Sequence, residues 1–338
     1  MAKMRRVEAS EPRSSIVDVA RAAGVSASTV SRVLSSPDFG RAETRSRVLA
    51  AARELAWNRT RTPRADASGV GTIGVMLSQL ENPFFAQLAT ALLESAHRHD
   101  YSLLLGDIDS SLDDVAEFAR QCDALVAWAP SVHEPVLAEL VGHAPTVMLN
   151  GERPGSPSVI ADGADVVAEV VDYLVTLGHR HIGYATTTEQ SASLRSRLES
   201  ARRRSELRGV GFTILSSSGT AAQSVKHSAD LAVAAGVTAV LAQNDLAAMA
   251  LIREFSQRGL TIPGDISVVG CDDNPAARLC LPSVTTIAIP LADIAETAIR
   301  LVRSCLAGGP SPAGEHRLPS RLVVRESTGP APGTARRP

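Results

Sequence analysis

The sequence has no apolar run of about 18 residues, which a membrane-spanning helix requires. Its first residues, MAKMRRVEASEPRSSI, are partly basic, but no apolar stretch follows them as it does in a secretory signal. We therefore expect a cytoplasmic protein that has no membrane partner.

Cysteine is scarce, with four residues in 338 and no CxxC pair. No histidine stands at ligand spacing from them, and the two histidines of GHRH (178–181) precede an apolar run, which is typical of a strand entrance. The chain also lacks a GxGxxG after a strand, a P-loop and a GxSxG motif. We predict reduced thiols, no metal, no cofactor and no catalytic residues.

The net charge of −2 hides an asymmetry along the chain. Residues 1–64 hold thirteen Lys and Arg against six Asp and Glu, which leaves −9 on the remainder. A basic head on an acidic body suggests that only the head meets a polyanion, although a charge run can also be a solvated face.

The segment IVDVARAAGVSASTVSRVL (16–34) predicts a helix, a tight turn at Gly24 and a second helix. Ser26 is a suitable N-cap, and Val30, Val33 and Leu34 share the inward face of the second helix. The outward face carries Ala27, Ser28, Ser31 and Arg32. Apart from the arginine these side chains are short, so the helix can lie close to the bases of a major groove. A third helix, ETRSRVLAAARELAW (43–57), would close a three-helix core.

In order and spacing, these segments resemble the DNA-binding domain of the LacI/GalR family of bacterial transcription regulators. The resemblance implies that Ala27, Ser28 and Arg32 of the recognition helix face base edges, where arginine can donate two hydrogen bonds to guanine. We assign DNA contacts to this helix and to the linker that follows: Ser26, Ala27, Ser28, Thr29, Ser31, Arg32, Arg59, Arg61 and Arg64.

The linker RTRTPRADASG (59–69) corresponds in position to the hinge helix of that family, which folds on DNA and inserts a leucine into the minor groove. Here Asp66 occupies the leucine position and Pro63 stands in the middle of the segment. An acidic wedge is repelled by the groove, and a helix beginning at Pro63 would be about one turn long. We expect a flexible tether that bends the DNA little.

From residue 74 the chain alternates short apolar runs with helix-length segments, which predicts parallel strands joined by crossovers. The runs are IGVML, YSLLLGD, ALVAWA, PTVMLN, HIGYAT, GFTIL, AVLAQN and ISVVGC. Two such sets imply two doubly wound lobes, and ligands bind outside the carboxyl ends of their strands. Polar or aromatic residues end these runs and should share that neighbourhood: Gln79, Asp107, Trp128, Asn150, Asp162, Asn244 and Asp272.

The body also resembles the LacI/GalR family, through NPFF, LGHRHIGY, NDLAAMA, IPGDISVVGCDD and LVVREST. The resemblance implies an α/β periplasmic-binding-protein-like core of two parallel-sheet lobes, used as a homodimeric effector sensor. It places pocket residues at Arg197, Asn244 and Asp272 and an aromatic wall at Phe84 and Phe85, which suits a sugar-like effector. With the strand-end residues Trp128, Asn150 and Asp162, these make eight positions to which we assign effector contacts. Other interpretations stay open: Asn244 as a helix cap, Asp272 as a turn residue, and the phenylalanines as core.

We therefore expect a transcription regulator, most simply a repressor, that binds a double-stranded DNA operator. The competing classes are an enzyme on a doubly wound fold and a solute-binding protein of a transport system.

The expected boundaries are a tail (1–14), a helix-turn-helix domain (15–58), the hinge (59–69), an effector and dimerisation core (70–328) and a tail (329–338). Within the core, 70–160 with 290–318 would form one lobe, and 161–289 with 319–328 the other.

Overall fold

The computed structural model describes residues 16–35, 41–54, 71–128, 134–151, 153, 155–187, 192–217, 221–307 and 314–333. The chain forms two compact units, Met1–Gly69 and Val70–Pro338. The expected N-terminal tail and the hinge 59–69, with Arg59, Arg61 and Arg64, lie outside the described residues. No helix within the described ranges is both long and apolar enough to cross a bilayer.

The secondary structure of the described chain alternates helices and strands after an all-helical start. The helices are α1 (Ile16–Ala23), α2 (Ala27–Ser35), α3 (Ala42–Glu54), α4 (Pro83–Arg98), α5 (Leu112–Ala119), α6 (Glu134–His143), α7 (Ala164–Thr176), α8 (Ala192–Leu207), α9 (Ala221–Ala235), α10 (Asp245–Gln257), α11 (Pro275–Leu279) and α12 (Leu291–Leu306). The strands are β1 (Gly71–Leu77), β2 (Tyr101–Asp107), β3 (Ala124–Trp128), β4 (Thr146–Leu149), β5 (Ser158–Asp162), β6 (His181–Thr187), β7 (Gly211–Ser217), β8 (Ala239–Ala242), β9 (Ser267–Asp272), β10 (Thr285–Ala288), β11 (Glu315–Pro319) and β12 (Arg321–Val323).

The first unit is a three-helix domain with a small apolar core. Gly24 adopts a φ of +63° between α1 and α2, a left-handed conformation that glycine accepts without strain. The core residues are at most 6% exposed and come from all three helices: Val19, Ala20, Ala23, Val30, Val33, Val48 and Ala51. The helix-turn-helix prediction is confirmed.

The second unit contains two six-stranded sheets, one in each lobe. The first lobe has the strand order β11-β5-β4-β3-β1-β2, and all of its pairs are parallel. The second lobe has the order β12-β10-β9-β8-β6-β7, in which β12 pairs antiparallel with β10 and the other pairs are parallel. The bilobed α/β prediction is confirmed, with one antiparallel edge strand that the sequence reading did not include.

The chain passes between the lobes three times, after β5, after β10 and after β11. The first crossing follows Asp162 rather than residue 160, because Asp162 still pairs with Pro319 in the sheet of the first lobe. Helix α12 returns to the first lobe, where Ile294, Ala298 and Val302 join its buried core.

The end of the chain packs on the second lobe beyond the expected boundary at 328. Ala331 is 5% exposed, and its amide donates a hydrogen bond to the Leu177 carbonyl at 2.9 Å. The Gly329 carbonyl accepts a hydrogen bond from the ring of the fully buried His179, with Nε2 and the oxygen 3.1 Å apart. The expected tail therefore starts too early, since these residues are part of the packed lobe.

Candidate functional site

The recognition helix α2 presents small polar side chains on the face opposite its core residues. Ser26 caps the helix by accepting a hydrogen bond from the Thr29 amide at 3.1 Å, and its hydroxyl lies 2.8 Å from that of Ser28. Ser26, Ser28 and Arg32 are exposed, and Thr29 is half-buried. Ala27, which we expected on the outward face, is half-buried and packs against the three-helix core. The side chain of Ser31 is outside the described residues. This surface allows the helix backbone to approach a DNA groove closely.

A cavity of about 230 Å³ lies in the second unit where the carboxyl ends of both sheets meet. Seven of the eight predicted effector residues line it: Phe84, Phe85, Trp128, Asn150, Arg197, Asn244 and Asp272. The eighth, Asp162, ends β5 beside the lining residue Gly163, but its side chain is not among those described. We call this the effector cavity.

Asp107 does not belong to this neighbourhood, contrary to our expectation. It ends β2, which is the outer edge strand of its sheet and, among the described strands, pairs only with β1. Its carboxylate accepts a hydrogen bond from the Asp109 amide at 3.0 Å. The carboxyl ends of the inner strands face the cleft, whereas the edge strand stands away from it.

An aromatic cluster forms one wall of the effector cavity. Asn82 caps α4 by accepting a hydrogen bond from the Phe84 amide at 3.1 Å, and Pro83 occupies the first helical position. The rings of Phe84, Phe85 and Trp128 meet edge to face, with centroids 5.1–5.3 Å apart. The cluster is therefore both lobe core and cavity wall.

Two asparagines use their side-chain oxygens to hold the backbone. Asn150 Oδ1 accepts from the Ala161 amide at 2.7 Å, and Asn244 Oδ1 accepts from the Ala247 amide at 2.9 Å. Because the oxygen of each amide is engaged, the NH₂ group is the part that can donate to a ligand. Asn244 thus caps α10, which is one of the two roles considered from the sequence, and it also lines the cavity.

Arg197 on α8 reaches into the effector cavity from the second lobe. Its Nη1 donates to the Gln243 carbonyl at 3.1 Å, while its Nε is buried with no hydrogen-bond partner among the described residues. Its side chain also packs on Gly163, where a Cβ atom would lie 3.0 Å from Arg197 Cδ. An unsatisfied buried donor is costly, and Arg197 carries one at the wall of the effector cavity.

Asp272, which is in the same lobe as Arg197, lines the effector cavity at the end of β9, in a strained backbone with a φ of +113°. Burial raises the pKa of its carboxyl to about 8; Arg197 opposes this shift and Asp245 adds to it. A carboxyl group that can be protonated near neutral pH can both donate to and accept from a ligand hydroxyl.

Beneath this turn, the fully buried Asp245 supports the backbone that carries Asp272. Its carboxylate accepts from the Thr286 hydroxyl at 2.5 Å and from the Asn274 amide at 2.6 Å. Gly270 makes room for it, because a Cβ atom there would lie 2.1 Å from Asp245 Oδ1. Burial raises the pKa of Asp245 to about 6, although the hydrogen bonds from Thr286 and Asn274 lower it in part.

The sequence did not point to several lining residues: Ser78, Ala161, Gly163, Thr187, Ser193, Leu194, Gln243, Cys271 and Ile289. Gln243 was within reach, since it precedes Asn244 at a strand end; its Oε1 accepts from the Thr187 amide at 3.1 Å. Among the described residues no three His, Cys, Asp or Glu side chains group as a metal site would. The arrangement suits reversible binding of a small polar molecule.

Two family models match the chain. Residues 15–59 match the bacterial regulatory proteins of the lacI family, and residues 171–328 match the periplasmic binding protein-like domain. The transcriptional regulator MalR of Streptomyces coelicolor is 30% identical over 96% of this chain and 99% of its own length. The ribose operon repressor of Bacillus subtilis is 29% identical over 93% and 98%.

Solved structures share the fold of the body. A LacI family regulator from Arthrobacter in complex with lactose has a TM-score of 0.68 and 25% identity, covering 77% of this chain and 99% of its own. A LacI family regulator from Enterococcus faecium has a TM-score of 0.70 and 24% identity over the same shares.

Proposed function

Since the chain belongs to the lacI family of bacterial regulatory proteins, whose members are transcription regulators and not enzymes, we propose that it represses transcription under control of a sugar-like effector. Residues 15–58 bind the operator, residues 59–69 link the two units, and residues 70–328 bind the effector and form the dimer. The protein acts in the cytoplasm, where the chromosome lies. Repression is favoured because a relative of nearly full coverage is a ribose operon repressor.

The observation that carries the effector class is the set of donors and acceptors around one cavity with an aromatic wall. Arg197 and Asn244 offer donors, Asp272 offers both, and the Phe84 ring cluster covers an apolar face. Sugars present this combination of hydroxyl groups and apolar ring faces. The lactose complex of the Arthrobacter regulator is in keeping with it.

A homodimer on a near-palindromic operator follows from the recognition element. One helix of nine residues reads only a few base pairs, and helix-turn-helix proteins gain specificity by placing two such helices one DNA turn apart. We therefore propose that two copies bind two half-sites.

The test begins with a footprint on the DNA that flanks the protein's own gene. The protected site is then titrated with the chain in the presence of a panel of monosaccharides and disaccharides. We expect one sugar to change operator affinity. Asn244→Ala and Asp272→Ala should keep operator binding without sugar and lose the response. A sugar response equal to the parent's in both variants would place the effector site elsewhere.

A further inference from the structure

A second cavity, of about 540 Å³, adjoins the effector cavity. The two share five lining residues: Gln79, Asn82, Thr187, Gln243 and Asn244. We call it the side cavity. At about 230 Å³ the effector cavity alone is smaller than the roughly 300–1,000 Å³ typical of ligand pockets, whereas the two together fall within that range.

The second lobe gives the side cavity an apolar wall. Outside the shared rim this wall consists mainly of Ala185, Val225, Leu246, Ala247, Ala250 and Leu251. Leu246 stands at the start of α10 and is 39% exposed, which leaves a large apolar side chain facing the cleft.

Two hydroxyl groups on this wall donate to carbonyls of the protein itself. Ser228 donates to the Leu215 carbonyl at 2.7 Å, and Thr186 donates to the Thr187 carbonyl at 3.3 Å. Both hydroxyl protons are therefore engaged, and these two groups can offer a ligand only an acceptor oxygen. The first lobe contributes Glu81, whose carboxylate would repel an anionic group.

We propose that the effector carries an uncharged apolar substituent, aryl or alkyl, which occupies the side cavity while its hydroxylated part lies against Arg197, Asn244 and Asp272. This inference rests on the proposed function and narrows its ligand class. The polar cavity supplies orientation and the apolar one supplies affinity, because burying an apolar group releases its hydration water.

The test compares matched ligands on the full chain by titration calorimetry. Each monosaccharide of the panel is used free, with a phenyl group at the anomeric oxygen, and with a benzyl ether at its terminal hydroxymethyl, with the methyl analogues as controls. At one of the two attachment points we expect the aryl form to bind about tenfold tighter than the methyl form. Lactose and cellobiose are included to test a second sugar ring as the occupant.

Two variants locate the effect. Leu246→Asp should bring the aryl and methyl affinities together, and aspartate is well tolerated in the first turn of a helix. Leu112→Asp is the matched control, since Leu112 is 47% exposed in the first turn of α5 and lines neither cavity. It should keep the tenfold difference.

The outcomes separate this inference from the proposed function. Equal binding of aryl and methyl forms at both positions, tighter binding of a disaccharide, or an aryl advantage that survives Leu246→Asp would overturn the apolar substituent while leaving a sugar effector in place. If no compound binds, the effector class itself is wrong, and this inference fails with it.

Discussion

At the scale of single residues, structural roles and cavity-lining positions coincide in the cleft. Asn244 caps a helix and lines the effector cavity, and the Phe84 and Phe85 rings are both core and wall. The alternatives that the sequence left open for them therefore do not exclude one another. A group fixed by the fold meets its ligand without further loss of conformational entropy.

Arg32 gives a prediction for the recognition helix. Because its guanidinium can donate to two acceptors of guanine, Arg32→Ala should lower the preference for operator over random DNA by about 1–3 kcal/mol. The fold should be intact, since Arg32 is exposed. Competition binding between operator and random DNA measures this preference. Arg120→Ala on the first lobe is the control and should leave it unchanged. An unchanged operator preference would contradict the assignment.

Asp272 gives a prediction about pH. Its folded-state pKa of about 8 is above its usual value, so the protonated form is the one that folding favours. Its contribution to stability is full below pH 4 and is lost as the pH rises to about 8. Asp272→Asn, which stays neutral, should therefore gain in stability relative to the parent as pH increases from 5 to 8. Urea midpoints at several pH values measure this, and parallel curves would speak against a raised pKa.

At the scale of elements, the sequence identified those whose apolar residues are periodic or continuous. The eight predicted runs all contain strands, but β5, β10, β11 and β12 were not among them. Strand β11, EHRLP, is a polar edge with alternating exposure, and β12 has three residues, so neither forms an apolar run. Their positions depend on pairing with distant strands, which local patterns do not encode.

The residues of the candidate site also divide into those that the sequence predicts and those that it does not. Strand ends such as Trp128 and Asn150 could be named from the sequence, because parallel strands bring their carboxyl ends together. Asp245 could not, since its role depends on Gly270 in another element leaving space for its carboxylate. Asp107 was misplaced because strand order, which sets β2 at the edge, cannot be read from a strand's own residues.

The hinge gives a prediction at this scale. With Pro63 in its middle and Asp66 at the wedge position, the linker should bend the operator little. Circular-permutation gel shifts should give a small angle for the parent. Asp66→Leu alone should not restore a kink while Pro63 remains. A strong central bend, with amide protection of 59–69 on DNA, would show that the hinge folds.

At the scale of the whole molecule, charge is divided unevenly along the chain. Residues 1–64 carry +7 and the rest −9. The acidic body should not hold DNA, so operator binding depends on the basic head and the phosphates that it contacts.

This division predicts different salt responses. Operator affinity should fall with a log–log slope of about −0.9 per phosphate neutralised, because counterions are released. Affinity for an uncharged sugar should hardly change over the same range. Binding isotherms from about 50 to 200 mM salt measure both on one preparation, and a flat slope for DNA would exclude the head as the contact surface.

The late strands β11 and β12 have a genetic consequence. Each completes one edge of a different sheet, and Ser327 then bonds into the second lobe through the Val268 carbonyl at 2.6 Å. Neither lobe is therefore encoded by one uninterrupted stretch of the gene. A stop codon between 307 and 315 would damage both lobes at once. Recombination between related genes should exchange the body as a single block, with its surviving crossovers near the junction around residue 69.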